Sequence, residues 1–381
     1  MKINKVNVYK VFLPFISEFS ISRLKGLSSN IIVVEVIADQ GEIKGYGEGV
    51  PVEFITGETP QSAAKNVRLF AQKDFFPWEL NDVSQVWDFV DGLPNGKRHN
   101  AAICASEMAL LDVLGKRQNQ SIIKYFPHEF FTPKINYGVQ IPLAHKQRII
   151  EICKMSREMK INNLRVKMGK DFKQNKEAIE IVNLVFGDDC DLRIDPNGAW
   201  DRYLAFKHIP LIKKCNVKIV EEPMIKDNPD FVEFAKIMQA NGVILMACES
   251  APTLNDVERI IREGYYQMIN VKLSRNGGFR RSLRIIECIR NSGLSFQIGC
   301  AIGESGILSA AGRALGLLCR DALYYDGSYD AFLLKENTTL ENVSFGPAGE
   351  AGLLDGPGLG VKINSQALEL LSTDFASITR Q

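Results

Sequence analysis

The stretch 191–223, DLRIDPNGAWDRYLAFKHIPLIKKCNVKIVEEP, holds one strand–helix–strand unit. A β-branched run at Leu192–Asp195 precedes an amphipathic helical stretch, and a second run follows at Val217–Glu221. Both runs end on a carboxylate. The same alternation starts near Lys134, with further runs at Ile135–Ile141, Leu164–Lys167, Val243–Ala247, Met268–Lys272, Phe296–Gly299 and Leu323–Tyr325. The eight runs end near 141, 167, 195, 221, 248, 272, 299 and 326, in steps of 24 to 28 residues. Eight such units predict an α/β fold, a (β/α)8 barrel of TIM type rather than an open doubly wound sheet. No G-x-G-x-x-G follows the first run, which removes the strongest cue for a dinucleotide fold.

Outside this repeat the chain looks α+β. Alternating strands are predicted near Ile3–Leu13, Ile31–Ala38 and Gly41–Glu48, and helices at Gln61–Gln72, Val83–Val90 and His99–Gly115. Phe345–Leu359 is rich in Gly and Pro and reads as a returning loop, followed by a short strand at Val361–Ile363 and a helix at Gln366–Leu371. The expected organisation is a capping region over 1–130, a barrel over 131–345, and a segment 346–381 that returns to the cap.

Composition narrows the function classes. The 46 Lys+Arg against 45 Asp+Glu leave a formal charge of +1, and no basic run appears, so a nucleic-acid partner is not expected. No apolar stretch approaches the ~20 residues needed to span a bilayer. The eight cysteines form no C-x-x-C pair and no export signal precedes them, so reduced thiols in the cytoplasm are expected.

Barrel enzymes keep their chemistry at the C-terminal ends of the strands. Here those ends carry Arg165 and Lys167, Asp195, Glu221 and Glu222, Cys248 and Glu249, Lys272, Glu304 just after the seventh strand, and Asp326. Acids on adjacent strands, Asp195 and Glu221, suit one hard divalent cation. Lysines on strands two and six face each other across the mouth of such a barrel. A cation binding a substrate carboxylate would stabilise an enediolate as it forms. One lysine, made neutral by burial and nearby positive charge, would take the α-proton, and the other would act on the opposite face.

In these motifs the chain resembles the enolase superfamily, specifically its muconate-lactonising subgroup, over nearly its whole length. The carrying residues are Arg165-Val-Lys167 in place of Lys-x-Lys, Asp195-Pro-Asn-Gly-Ala-Trp200, Val220-Glu221-Glu222-Pro223 and Ala247-Cys248-Glu249-Ser250. They continue with Asn270-Val-Lys272 through Gly277-Gly278, and with Gly299-Cys300 through Glu304-Ser305. The resemblance implies Mg²⁺, with Mn²⁺ as the alternative ion, at Asp195, Glu221 and the strand-five position, and Lys167 and Lys272 as acid/base catalysts on a small carboxylate substrate. It also implies a homo-oligomer and a muconate cycloisomerase-like isomerase. The alternatives are an epimerase or racemase of a dipeptide or N-acylamino acid, and a catalytically silent ligand-binding barrel.

Two departures stand out. Arg165 replaces the first lysine of Lys-x-Lys; residues two apart on a strand share a face, so it should sit beside Lys167 and keep its charge. Cys248 replaces the third metal ligand, and soft sulfur is a poor partner for Mg²⁺. Either Glu249 substitutes at a distorted strand end, or water completes the shell, or the site is degenerate. Asp326 with Asp330 is a candidate for a substrate ammonium or hydroxyl, Ser305 for a helix cap, and the segment Phe15–Gly26, with Arg23 and Lys25, for a loop over the mouth. The four histidines are expected at the surface.

Overall fold

The computed structural model describes residues 1–225 and 227–380. Its strands in chain order are β1 (Ile3–Ile21), β2 (Leu24–Ala38), β3 (Ile43–Gly49), β4 (Lys134–Asn136), β5 (Val139–Ile141), β6 (Asn163–Lys167) and β7 (Asp191–Asp195). They continue with β8 (Ile219–Glu221), β9 (Ile244–Ala247), β10 (Met268–Val271), β11 (Ser295–Ile298), β12 (Tyr324–Tyr325), β13 (Glu350–Gly352) and β14 (Ser372–Thr379). Strands β5 to β12 form one curled parallel sheet in sequential order, with helices between successive strands. Its outer strands approach each other: Tyr137 bridges Tyr325, and the Gly138 amide donates to the Tyr325 carbonyl at 2.9 Å.

The first predicted run, Ile135–Ile141, is two strands. β4 turns away to pair antiparallel with β13, and only β5 enters the parallel sheet. The other runs match within two residues at their starts and ends, because each is a short buried run rich in β-branched and other apolar residues and bounded by helical stretches.

A separate antiparallel sheet, ordered β14-β1-β2-β3, carries the N-terminal region. β14 went unread in the sequence. Ser372–Thr379 is mostly exposed and polar on alternate residues, so it resembles a tail until it pairs with β1 from Lys5↔Thr379 to Val11↔Ser372. The strand expected at Val361–Ile363 is a single bridge, Ile363 to Thr339.

The buried helix Asn100–Arg117 packs flat on β3, which is glycine-rich for that reason. A Cβ on Gly45, Gly47 or Gly49 would stand 2.1 to 2.4 Å from the helix backbone. The same region reaches into the parallel sheet with buried acids. Glu107 accepts from the amides of Phe279 and Arg280 at the start of the helix Gly278–Ser292. Glu48 accepts from Ser305 and Leu308 at the start of the helix Gly306–Leu317. Carboxylates at helix N-termini answer donors that have no partner within the helix.

Candidate active site

Side-chain alternation along β6 turns Arg165 and Lys167 into the sheet interior together, and both are buried. Lys167 Nζ lies 2.5 Å from Asp195 Oδ2 at the end of the neighbouring β7. Arg165 spreads its guanidinium over three partners: Glu221 Oε2 at 2.7 Å, Asp326 Oδ2 at 3.3 Å and Gln140 Oε1 at 2.5 Å. The expected placement of Arg165 beside Lys167 is therefore what the fold shows.

Asp195 and Glu221 are buried on adjacent strands. The Asp195 Oδ1 also accepts from the Asn197 amide at 2.9 Å, and Glu221 Oε1 accepts from Asn270 Nδ2 at 2.8 Å. Burial pushes the Asp195 carboxyl up, and Glu221 adds to this while Lys167 and Arg165 oppose it. For Glu221 burial acts in the same direction, but Arg165, Lys272 and Lys167 together outweigh it and hold the group well below the usual carboxylate range.

The two adjacent glutamates part company through backbone geometry. Glu222 has φ of 39°, in the left-handed region that non-glycine residues seldom adopt. Its carboxylate turns behind the strand to accept from the amide of Cys248 at 2.8 Å and from Ser250. Glu221 is left to face the interior. Strain of this kind persists where surrounding contacts hold it, and it concentrates at functional sites.

Cys248 is fully buried, and its Sγ accepts from Arg275 Nη1 at 3.0 Å. Burial drives its thiol far up, with Glu249 adding to the effect, so it stays protonated. Glu249 Oε1 accepts from Asn197 Nδ2 at 2.8 Å, and the same Nδ2 lies 3.3 Å from Asp195 Oδ2. Among the described residues, no three His, Cys, Asp or Glu side chains are already arranged around one metal position.

Three buried oxygens nearby nonetheless lack any hydrogen-bond partner: Glu249 Oε2, Asn197 Oδ1 and Asn270 Oδ1. Buried acceptors without donors are costly unless something satisfies them. Asn270 Oδ1 lies against Gly299, but Glu249 and Asn197, linked to Asp195 through Asn197 Nδ2, offer with Asp195 and Glu221 the hard oxygens that a divalent cation prefers, whereas the protonated thiol of Cys248 does not.

Lys272 directly follows β10, which lies four strands from β6 in the sheet. Burial works against its charge, but Glu221 works for it and its pKa is raised; the Cys248 thiol adds to that only as a thiolate, which its own upward shift opposes.

Asp326, a candidate for a substrate group, has partners within the protein. Arg193 Nη2 lies 3.0 Å from its Oδ1, and Gln297 and Arg165 occupy its Oδ2. Asp330 starts a short helix and accepts from Asn337. Glu304 is buried, accepts from the Ala301 amide and Ser309, and has its carboxyl pushed far up by burial. It borders a small cavity of about 10 Å³ with Cys300, Asp326 and Tyr137, room for roughly one water.

Ser305 caps the helix that follows, as expected. The segment Phe15–Gly26 is a hairpin tip rather than an open loop. Ser22 Oγ donates to the Pro196 carbonyl at 2.6 Å, and Arg23 donates to Gly198 at 3.1 Å, which brings it over the strand ends.

Sequence reasoning passed over Arg193, Asn197, Asn270 and Arg275. The signal for two of them was present: Arg193 has the parity of Asp195 on β7, and Asn270 has that of Lys272. His208 overturns the surface expectation; it is buried and stacked on Trp200 at 4.1 Å.

Residues 148–367, more than half of the chain, match the enolase C-terminal domain-like family. The chain belongs to that family. Its sequence is 25% identical to the N-succinyl-L-Arg/Lys racemase of Bacillus cereus over 100% of both chains, and the crystal structure of that racemase superposes with a TM-score of 0.86, at 22% identity, covering 99% of this chain and 100% of that one. It is 26% identical to the chloromuconate cycloisomerase of Cupriavidus pinatubonensis over 68% of each. The fold is also that of a dipeptide epimerase from Cytophaga hutchinsonii solved with Mg and the dipeptide D-Ala-L-Val, with a TM-score of 0.85 at 22% identity and full coverage of both chains. Cycloisomerases and epimerases both appear among the relatives, so the cycloisomerase expectation gains no preference over the epimerase one. Among the described residues no helix is long and apolar enough to cross a membrane.

Proposed function

We propose that this enolase-family chain removes the proton α to a substrate carboxylate and returns one on the opposite face, as a racemase or epimerase of an amino-acid derivative. The observation that carries the reading is the placement of the charges: Arg165 pairs with Glu221, Lys167 with the neighbouring Asp195, and Lys272 follows a strand four away from that of Lys167. In a closed (β/α)8 barrel, a reading supported by the Tyr137–Tyr325 bridge, strands four apart are opposite each other. The two amines then flank the carboxylate cluster from two sides.

Lys272 and Lys167 act from opposite faces, and Lys167 is held in place by Asp195. Asp195, Glu221 and Glu249, with Asn197, are the residues that would hold a divalent cation, which the Mg-containing epimerase structure supports as Mg²⁺. When bound, the cation would fix the substrate carboxylate and stabilise the negative charge of the enolate.

The test is exchange of solvent deuterium into the α-position of N-acylamino acids and dipeptides with Mg²⁺ present. Wild type is expected to exchange both enantiomers. Lys167→Ala and Lys272→Ala are each expected to lose exchange of one enantiomer by ~100-fold or more. Exchange that survives both substitutions refutes the assignment. A second reading, cycloisomerisation of a muconate-like diacid, is favoured by the similarity to the chloromuconate cycloisomerase. Loss of diene absorbance on incubation with a muconate would select it.

A further inference from the structure

Arg165 and Arg193 are register partners on β6 and β7, so two fully buried guanidinium groups start side by side. Like charges placed this way repel, and a low-dielectric interior strengthens the effect. Asp326, which directly follows β12, enters between them. Arg193 Nη2 donates to its Oδ1 at 3.0 Å and Nη1 to its Oδ2 at 3.2 Å, while Arg165 Nε lies 3.3 Å from the same Oδ2. The rest of the Arg193 guanidinium is also engaged. Asn163 accepts from its Nε and Nη2, Gln297 accepts from its Nη1, and the Tyr324 ring centre lies 4.3 Å away. Every N–H of Arg193 therefore has a partner within the protein.

Stability alone does not explain this investment. Barrel interiors are ordinarily filled by branched apolar side chains, and replacing a buried ion pair by apolar residues of like volume is often neutral or stabilising. Geometry is the other reason to keep it. Arg165 presents one nitrogen to each of three acceptors: Nη1 to Glu221 Oε2 at 2.7 Å, Nη2 to Gln140 Oε1 at 2.5 Å, and Nε to Asp326. With Arg193 removed, Asp326 would keep Arg165 as its one ion-pair partner among the described residues. A carboxylate and a guanidinium pair most strongly through two parallel bonds, which Arg165 reaches only by turning away from Glu221.

We propose that Arg193 is a positioning residue for the proton transfer: by engaging both oxygens of Asp326, it keeps Arg165 on Glu221. Glu221 belongs to the cation-binding set, and Arg165 shares its strand face with Lys167, so a turn of Arg165 displaces the groups that meet the substrate. This rests on the proton-transfer reading above and adds a residue to it that does not itself touch the substrate.

The experiment uses the full chain with Mg²⁺ and three variants: Arg193→Gln, Arg193→Gln with Asp326→Asn, and Arg193→Lys. α-Proton exchange on the N-acylamino acid and dipeptide panel gives kcat and KM per folded protein, with the folded fraction taken from circular dichroism. Crystal structures of the same variants give the Arg165–Glu221 separation. Arg193→Gln is expected to lower kcat by at least about tenfold, to leave KM within about threefold, and to carry Arg165 out of hydrogen-bond reach of Glu221. Neutralising Asp326 in the same chain should return Arg165 to Glu221 and recover most of the lost kcat, which a merely structural role would not predict. Arg193→Lys keeps the charge without the fork, so it should lose kcat by an intermediate factor, and it carries the test if Arg193→Gln does not fold. An unchanged kcat, or Arg165 still bonded to Glu221 in Arg193→Gln, overturns the proposal. So does a rise in KM at constant kcat, which would put the Asp326 pair at the substrate. If wild type exchanges no member of the panel, the proton-transfer reading fails, and the crystal structures still decide whether Arg193 holds Arg165 in place.

Discussion

Cys248→Asp puts a hard ligand where the chain carries a thiol, and the structure allows the consequence to be sized. The Sγ lies 3.0 Å from Arg275 Nη1 and is fully buried, so the new carboxylate gains an ion-pair partner in place. That pairing limits the cost of burying it, and the metal-free variant should lose no more than ~2 kcal/mol of stability. Toward a divalent cation the carboxylate contributes about 4 kcal/mol per unit charge at ~4 Å and an effective dielectric of ~20. Repulsion from Asp195, Glu221 and Glu249, competition from Arg275 and the loss of hydration oppose this.

A net gain of at least ~1.4 kcal/mol, or tenfold in affinity for Mg²⁺, is the expected remainder. The assay is titration calorimetry on wild type, Cys248→Asp and Cys248→Ser. Serine keeps the size and removes the sulfur, so it should leave the affinity within about twofold if Glu249 and Asn197 already complete the shell. An unchanged affinity in Cys248→Asp, or a large loss in Cys248→Ser, would refute the reasoning.

Arg165→Met should cost about 3 to 5 kcal/mol in the metal-free chain, since it strands buried Glu221 and part of Asp326. Urea denaturation with and without Mg²⁺ measures this, and added cation should recover part of the loss; a neutral effect contradicts the ion-pair assignment. Glu107 is pushed up to about 8 by burial, against the Arg280 and Phe279 amides that hold it. The stability it confers is full below its unfolded value near 4.5 and is lost as pH rises through about 8. Wild type should therefore weaken across that window by at most ~1.4 kcal/mol per pH unit from this group, and Glu107→Gln should flatten the slope. His208 is pushed down to about 4 by burial, although its ring donates to the Leu204 carbonyl. Its contribution is present above pH ~6.5 and lost as pH falls through about 4, so His208→Phe should remove that acid-side slope in the same denaturation series; an unchanged slope would place the loss on other groups.

The sequence by itself determined the strand rhythm, the carboxylates and amines at the strand ends, and the shared face of Arg165 and Lys167. Such features are local: a strand's side chains alternate, and a helix–strand unit has a fixed length, so near neighbours in the chain encode them. The choice of partners was not local. Arg193 and Asp326 meet across 133 residues, so an acid that the sequence offers to a ligand also has a partner inside the protein. Arg275 reaches Cys248 across 27 residues, and the hairpin tip reaches Gly198 across 175. β14 became a strand only when β1 offered its edge, and His208 became a core residue only when Trp200 covered it. Charge and hydrogen-bonding capacity belong to a residue, but whether they are spent inside the protein or left for a ligand depends on which groups the folded sheet brings within about 3 Å.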